Sequence, residues 1–107
     1  MTELSRTEKI MMAWTNLNRI YKIRTSLENL KTRLKTTKTR DIRSANRAEI
    51  ESLTNERVRL IGESCVLLDI ETTGDSQSDF RKFSAIVKAY VNEKNEAEYA
   101  RDRRRNR

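Results

Sequence analysis

The sequence predicts an all-α protein, and three observations lead to this prediction. Its 107 residues contain no proline and only two glycines, Gly62 and Gly74, whereas small sheet-rich domains need turn residues about every ten residues. Long stretches carry apolar residues at spacings of three and four, the period of an amphipathic helix. Charged residues make up 36% of the chain, too many for a thick core. We predict one helical domain over residues 1–100, followed by a flexible arginine-rich tail at 101–107.

The first helix is predicted over residues 5–36. Ser5 and Glu8 form an S-x-x-E capping box just before the apolar run. Helix propensity is lowered by Thr36, Thr37 and Thr39, because their side chains are β-branched. They favour a hairpin turn, although one continuous rod over residues 5–70 is also compatible with the sequence. The apolar stripe consists of Ile10, Ala13, Leu17, Ile20, Ile23, Leu27, Leu30 and Leu34.

The second helix is predicted over residues 41–71, with Thr39 or Asp41 as its N-cap. Its period dissolves into the apolar run 65–70, which suits a buried helix or a short strand. We favour helix because no partner strand is visible. Gly74 is the expected residue after the helix end, since glycine readily adopts the left-handed conformation.

A third helix is predicted over residues 77–100, with Asp79 favourable in its first turn. The predicted architecture is therefore a long helical hairpin with a third, C-terminal helix packed on its far end. Such thin helices would be marginally stable as a monomer. We expect the stripe of the first helix to continue into a coiled-coil-like homo-oligomer.

The formal net charge of +7 is unevenly distributed. Residues 19–47 hold ten basic and two acidic residues, whereas residues 48–100 hold six basic and eleven acidic ones. Basic residues at this density can track a phosphate backbone. The predicted nucleic-acid-binding residues are Lys31, Arg33, Lys35, Lys38, Arg40, Arg43 and Arg47, together with Arg101, Arg103, Arg104, Arg105 and Arg107 in the tail.

Two alternatives to nucleic-acid binding remain open for these charges. The band could be a solvated helix face that pairs across the hairpin with Glu49, Glu51 and Glu56, and the tail could serve solubility alone. No Phe or Tyr is interleaved with the basic residues, so contact with the backbone is favoured over base stacking. Apolar residues predicted to contact a partner protein are Trp14, Tyr21, Leu27, Phe80, Phe83 and Tyr90.

Several kinds of site are not expected. With one cysteine and no histidine, neither an intrachain disulfide nor a Cys/His zinc site can form. Cys65 is interpreted as a small buried apolar residue. No run is long enough to span a membrane and no signal-peptide pattern is present, so we expect a soluble, cytoplasmic protein with no membrane partner. We predict no cofactor, no metal and no catalytic residue.

One segment resembles the first motif of DnaQ-type (DEDD) 3′–5′ exonucleases, in which an apolar strand delivers D-x-E-T-T-G. It is Asp69-Ile70-Glu71-Thr72-Thr73-Gly74, which follows Val66-Leu67-Leu68. The resemblance implies a divalent-metal site, which needs further carboxylates from later strands. The 33 residues after Gly74 read as helix and tail instead. We therefore interpret the segment as a helix end with Asp69 and Glu71 exposed.

A second resemblance covers more of the chain. The order of a charged helical segment, a basic-apolar stretch with a central glycine (57–69), a polar break (74–79) and a last helix containing 88–91 is similar to that of MobC-type plasmid mobilisation proteins. The segment Glu63-Ser64-Cys65 departs from the small apolar residues expected after that glycine. The resemblance implies a DNA-binding accessory of a nicking enzyme.

The sequence thus favours a non-catalytic nucleic-acid-binding accessory protein. The alternative is a small phage- or plasmid-borne adaptor or inhibitor that docks on an acidic surface of a host enzyme, within a larger protein complex. An adaptor would present Phe80, Phe83 and Tyr90 as anchors, whereas a nucleic-acid binder would bury them in the bundle. Whether the nucleic acid is DNA or RNA is left open.

Overall fold

Three helices account for nearly all of the residues described by the computed structural model, which are 3–105 for the backbone and 3–98 for the side chains. The helices are α1 (Arg6–Thr36), α2 (Arg40–Leu67) and α3 (Ser76–Arg105). The predicted all-α class and the hairpin followed by a third helix are confirmed. No helix within the described residues is both long and apolar enough to cross a membrane.

Helix α1 begins where the capping box predicts. The Ser5 hydroxyl accepts a hydrogen bond from the backbone N–H of Glu8 at 3.1 Å, which satisfies one of the free donors in the first helical turn. The helix ends at Thr36, and Thr37 is extended, with φ −86° and ψ 127°.

A three-residue connection at 37–39 separates α1 from α2, so the hairpin is confirmed and the continuous rod is wrong. The Arg43 side chain closes this turn. Its Nη1 donates to the backbone carbonyl oxygens of Leu34 at 2.8 Å and Thr37 at 3.0 Å. These carbonyls lie at the C-terminal end of α1, where helical partners are lacking, and a cation there also complements the helix dipole.

The end of α2 differs from the prediction. The helix ends at Leu67 rather than at residue 71, and Asp69 takes the left-handed conformation directly after it, with φ 56°. Gly74 also has a positive φ, 85°, but it lies in the linker to α3. The N–H of Ile70 donates to the carbonyl of Cys65 at 2.8 Å, and that of Asp69 to the carbonyl of Val66 at 3.3 Å. This is a Schellman motif. The apolar run at 65–70 is therefore helix and helix end, not strand.

The linker to α3 is fixed by two aspartates. Asp75 accepts from the N–H of Gln77 at 3.2 Å and so caps α3. Asp79 was expected only to favour the helix dipole, but it is buried and its Oδ1 accepts from both the N–H and the hydroxyl of Thr73, at 3.0 and 3.1 Å. Helix α3 continues to Arg105, five residues beyond the predicted end.

The core lies where all three helices meet, near the open end of the hairpin. Helix α1 contributes its predicted stripe from Ile10 to Leu27, α2 contributes residues between Leu60 and Leu68, and α3 contributes Phe83 and Val87. Phe83 and Ile23 are 0% exposed. From Ile10 to Leu27 the stripe is covered by α2 and α3 of the same chain, so these residues are not available to a second copy, and self-association stays a prediction.

Polar contacts set the register of the hairpin. The Asn16 amide donates to the hydroxyl of Ser64 at 3.1 Å, and the buried Ser64 hydroxyl donates to the carbonyl of Leu60 at 2.8 Å. Arg19 forms a bidentate ion pair with Glu56, in which its Nε and Nη2 donate to the two carboxylate oxygens at 2.9 and 3.1 Å. The Arg19 hydrogen bond lowers the pKa of the Glu56 carboxyl.

The molecule is elongated, with extents of 63 × 39 × 26 Å. Beyond Arg57, toward the connection, α2 contributes only half-buried apolar residues such as Ile50 and Leu53 to the core. The closed end of the hairpin is therefore a narrow two-helix projection, and it carries most of the predicted basic band.

Candidate nucleic-acid interface

The hairpin tip, defined as residues 31–47, is the most basic surface that the structure describes. It holds seven basic residues and one acidic residue, Asp41. The last turns of α1, the connection and the first turns of α2 bring these residues together at one end of the molecule. Six of the seven basic side chains are exposed: Lys31, Arg33, Lys35, Lys38, Arg40 and Arg47.

These six side chains have no acidic partner among residues 3–98. The three ion pairs of that part of the chain join Arg19 to Glu56, Arg24 to Glu28 and Arg59 to Glu63, all outside the tip. Among the described residues, the basic residues of segment 19–47 therefore form one ion pair with α2, between Arg19 and Glu56, and it lies outside the tip. The charge of the tip is free to meet an external anion.

Arg43 is the exception among the predicted tip residues. It is half-buried, and the two carbonyl groups of the hairpin turn occupy its Nη1. We therefore correct its assignment from a phosphate contact to a residue that holds the turn. Its positive charge still adds to the field of the tip.

The start of α2 adds a further positive feature to the tip. Thr39 is the N-cap, yet its side chain makes no capping hydrogen bond. The first backbone N–H groups of α2 therefore lack a side-chain cap and lie at the positive end of the helix dipole. Asp41, in the first turn, offsets part of this potential.

For the arginine tail, the structure describes the backbone only, as far as Arg105. Helix α3 continues to Arg105, so Arg101, Arg103, Arg104 and Arg105 extend the helix. Their side chains lie outside the described part of the structure, as does the whole of Arg107. From 92 to 98 all side chains of α3 are exposed, so this part of the helix leaves the core.

The predicted partner-contact residues fall into two groups. Leu27 and Phe83 are buried in the core, so their assignment to a partner interface is wrong. Trp14, Tyr21, Phe80 and Tyr90 are half-buried and pack against the same core. Phe80 makes edge-to-face contacts with Tyr21 and with the buried Phe83, at 6.2 and 5.5 Å between ring centroids.

The exonuclease-like segment is not arranged as a strand. Asp69 and Glu71 are exposed at and after the end of α2, as expected for a helix end. Within the described residues, no cluster of three or more Asp, Glu, His or Cys side chains could hold a metal ion.

Cys65 is buried, as its apolar surroundings predict. Its Sγ lies 3.7 Å from the backbone carbonyl oxygen of Asp79. Burial raises the pKa of the thiol, and the charge of Asp79 adds to this effect. Both factors disfavour the thiolate, which is the reactive form.

Sequence reasoning missed two basic residues that lie together in space. Arg57 and Arg81 line a groove with Arg24 between the three helices. Both belong to the segment 48–100, whose net charge is negative, so a count along the chain conceals them. Only the packing of α3 across the hairpin brings the three arginines together.

Comparisons with known proteins do not assign a function to this chain, so a functional assignment rests on its fold and on this surface. The chain matches no protein-family model, and no curated protein or solved structure is significantly similar to it.

Proposed function

We propose that this chain is a non-catalytic nucleic-acid-binding accessory protein that contacts the phosphate backbone through its hairpin tip. The single observation that carries the proposal is the set of six exposed tip cations without acidic partners in the described structure. Phosphate neutralisation by such residues releases counterions and supplies most sequence-independent affinity.

The shape of the tip supports backbone contact over base readout. Paired helices lie about 8–10 Å apart, and each is about 10 Å wide. The two-helix tip is therefore wider than the major groove of B-DNA, which measures about 12 Å. The exposed arginines and lysines can reach phosphates on either side of a groove without any helix entering it.

The placement of the aromatic residues also supports nucleic acid over an adaptor role. Phe83 is completely buried, and Phe80 and Tyr90 pack against the core. An adaptor that uses Phe83 as an anchor would have to open its own bundle, and the half-buried Phe80 and Tyr90 offer only part of each ring. The resemblance to MobC-type proteins implies DNA, which makes duplex DNA the first probe.

The proposal is tested by fluorescence anisotropy with labelled duplex DNA, single-stranded DNA and RNA. The tip variant Arg40→Glu/Arg47→Glu should bind at least about tenfold more weakly than the wild type at low salt, because it reverses two charges. Lys82→Glu/Lys94→Glu makes the same charge change on exposed positions of α3 and serves as the matched control.

Equal binding by the tip and control variants would refute the assignment to the tip. Absence of binding to all three probes at low salt would refute the proposal as a whole. The adaptor alternative would then be pursued by cross-linking the purified protein to acidic host enzymes.

A further inference from the structure

A groove of about 310 Å³ lies between α1, α2 and α3. Three arginines line it, one from each helix: Arg24, Arg57 and Arg81. Its apolar wall includes Ile20, Ile61 and Phe80. Basic residues from three separate helices that converge on one concavity form a binding site for an anion.

The charge of this groove is not balanced from within. None of its lining residues is acidic. Arg24 has an acidic neighbour in Glu28, but the two side chains are exposed and 3.8 Å apart. The carboxylates at the start of α3 accept other hydrogen bonds: Asp75, which caps the helix, accepts from Gln77, and Asp79, in its first turn, accepts from Thr73.

Arg57 has one guanidinium N–H group without an acceptor. Its Nε atom is buried and has no hydrogen-bond partner in the described structure. A buried guanidinium N–H without an acceptor is unusual because most buried donors are paired. Arg57 also lines the groove, so its guanidinium can meet a phosphate there once the side chain turns to expose Nε, and planar guanidinium groups match phosphate geometry well.

The groove and the tip lie along one face of α1, on which Glu28 separates them. Arg24, Lys31 and Lys35 are separated by seven and four residues, so they share a face of the helix. Seven residues of helix span about 10 Å. A strand whose phosphates contact Lys35 and Lys31 therefore passes Glu28, the exposed partner of Arg24, and then reaches the groove at Arg24.

We propose that the groove binds a phosphate of the nucleic-acid strand held at the tip, so that the interface runs along α1 from the tip to Arg57 and Arg81. This inference rests on the proposed function, since the strand is the one that the tip binds. It assigns a nucleic-acid contact to two residues of the acidic segment.

The test compares Arg57→Gln/Arg81→Gln with Arg59→Gln in the same anisotropy titrations. Arg59 lies on α2 two residues from Arg57, is exposed and pairs with Glu63, and does not line the groove. The groove variant should bind about tenfold more weakly than the wild type. Because up to two phosphate contacts are lost, the slope of log K against log salt should become smaller in size by up to about 2. Arg59→Gln should have a smaller effect on both the affinity and the salt dependence.

Thermal unfolding of each variant guards against a folding defect. If the double variant has a lower Tm than the wild type, the exposed Arg81→Gln alone carries the comparison. Inorganic pyrophosphate provides a direct probe of the groove: in ¹⁵N NMR spectra, it should shift the Nε–H signal of Arg57 and leave that of Arg59 in place.

Each outcome decides between the two proposals. If the tip variant loses binding and the groove variant does not, the groove inference is wrong and the proposed function stands. If neither variant loses binding, both proposals fail. If pyrophosphate shifts the Arg57 signal but nucleic-acid affinity is unchanged in the groove variant, the groove takes a free phosphate compound, and the inference of a strand contact is wrong.

Discussion

Arg43 was grouped with the phosphate-binding residues because it lies in a basic stretch, but its guanidinium is engaged by the turn of the hairpin. A charge pattern along the chain cannot distinguish the two roles. The distinction depends on where the carbonyl groups of Leu34 and Thr37 point once the turn has formed.

We predict that Arg43→Ala lowers the free energy of unfolding by about 1–2 kcal/mol, because two carbonyl groups at the end of α1 lose a charged donor. Urea unfolding followed by circular dichroism measures this change. Arg40→Ala is the control, since Arg40 is exposed, and should change stability by less than about 0.5 kcal/mol. Equal stability of the two variants would contradict the capping role.

The buried thiol of Cys65 makes the stability of the fold depend on pH. Its pKa in the folded protein is raised by burial above the ordinary value of 9.0. As the pH rises above 9.0, the unfolded chain loses the thiol proton first, so folding stability declines. The difference in Tm between the wild type and Cys65→Ala should be constant below pH 8 and shrink as the pH rises above 9. A constant difference up to pH 10.5 would contradict a buried thiol.

The helices themselves show what the sequence can and cannot predict. Of the eight residues in the predicted stripe of α1, seven are buried and Leu34 is half-buried. The agreement is close because periodic apolar residues and a capping box are local signals. The end of α2 was predicted four residues late because Gly74 was the obvious left-handed residue. Asp69 takes that conformation at the helix end, Gly74 takes a positive φ five residues later, and Ile70 packs against the core. Tertiary packing decided the boundary.

Helix α3 depends on one carboxylate at its start. Asp79 holds Thr73 of the linker through two hydrogen bonds while itself buried. We predict that Asp79→Ala destabilises the fold by about 2–3 kcal/mol, because the N–H and hydroxyl of Thr73 lose a charged acceptor.

Asp75→Ala provides the comparison for this prediction, since it removes only an exposed N-cap, worth about 1 kcal/mol. Chemical denaturation of both variants gives the two values. A smaller loss for Asp79→Ala than for Asp75→Ala would contradict the role of Asp79 in holding the linker.

For the whole molecule, the sequence predicted the hairpin and the basic tip, but not the groove. The tip is formed by residues close together along the chain, so its charge could be counted directly. The groove joins Arg24 to Arg57 and Arg81, which are far apart in the sequence. Its existence depends on how α3 crosses the hairpin, and no local pattern encodes that crossing.

Self-association remains a prediction, and it needs a surface other than the buried stripe of α1. Val66 is 74% exposed and lies beside Met12 and Leu67. We expect sedimentation velocity to show concentration-dependent association, because exposed apolar patches of this kind often mark contact surfaces. Val66→Asp should weaken it and Ala85→Asp, at an exposed site on α3, should not. A wild type that is monomeric at all concentrations would contradict the prediction.

The most direct test of the central claim is the dependence of duplex-DNA affinity on salt, measured for the wild type and for Arg40→Glu/Arg47→Glu. Six tip cations without an acidic partner among residues 3–98 predict that log K falls with log salt with a slope of up to about −5, and that the slope of the variant is smaller in size by about 2. A flat salt dependence, or the same slope for both proteins, would contradict phosphate binding by the tip.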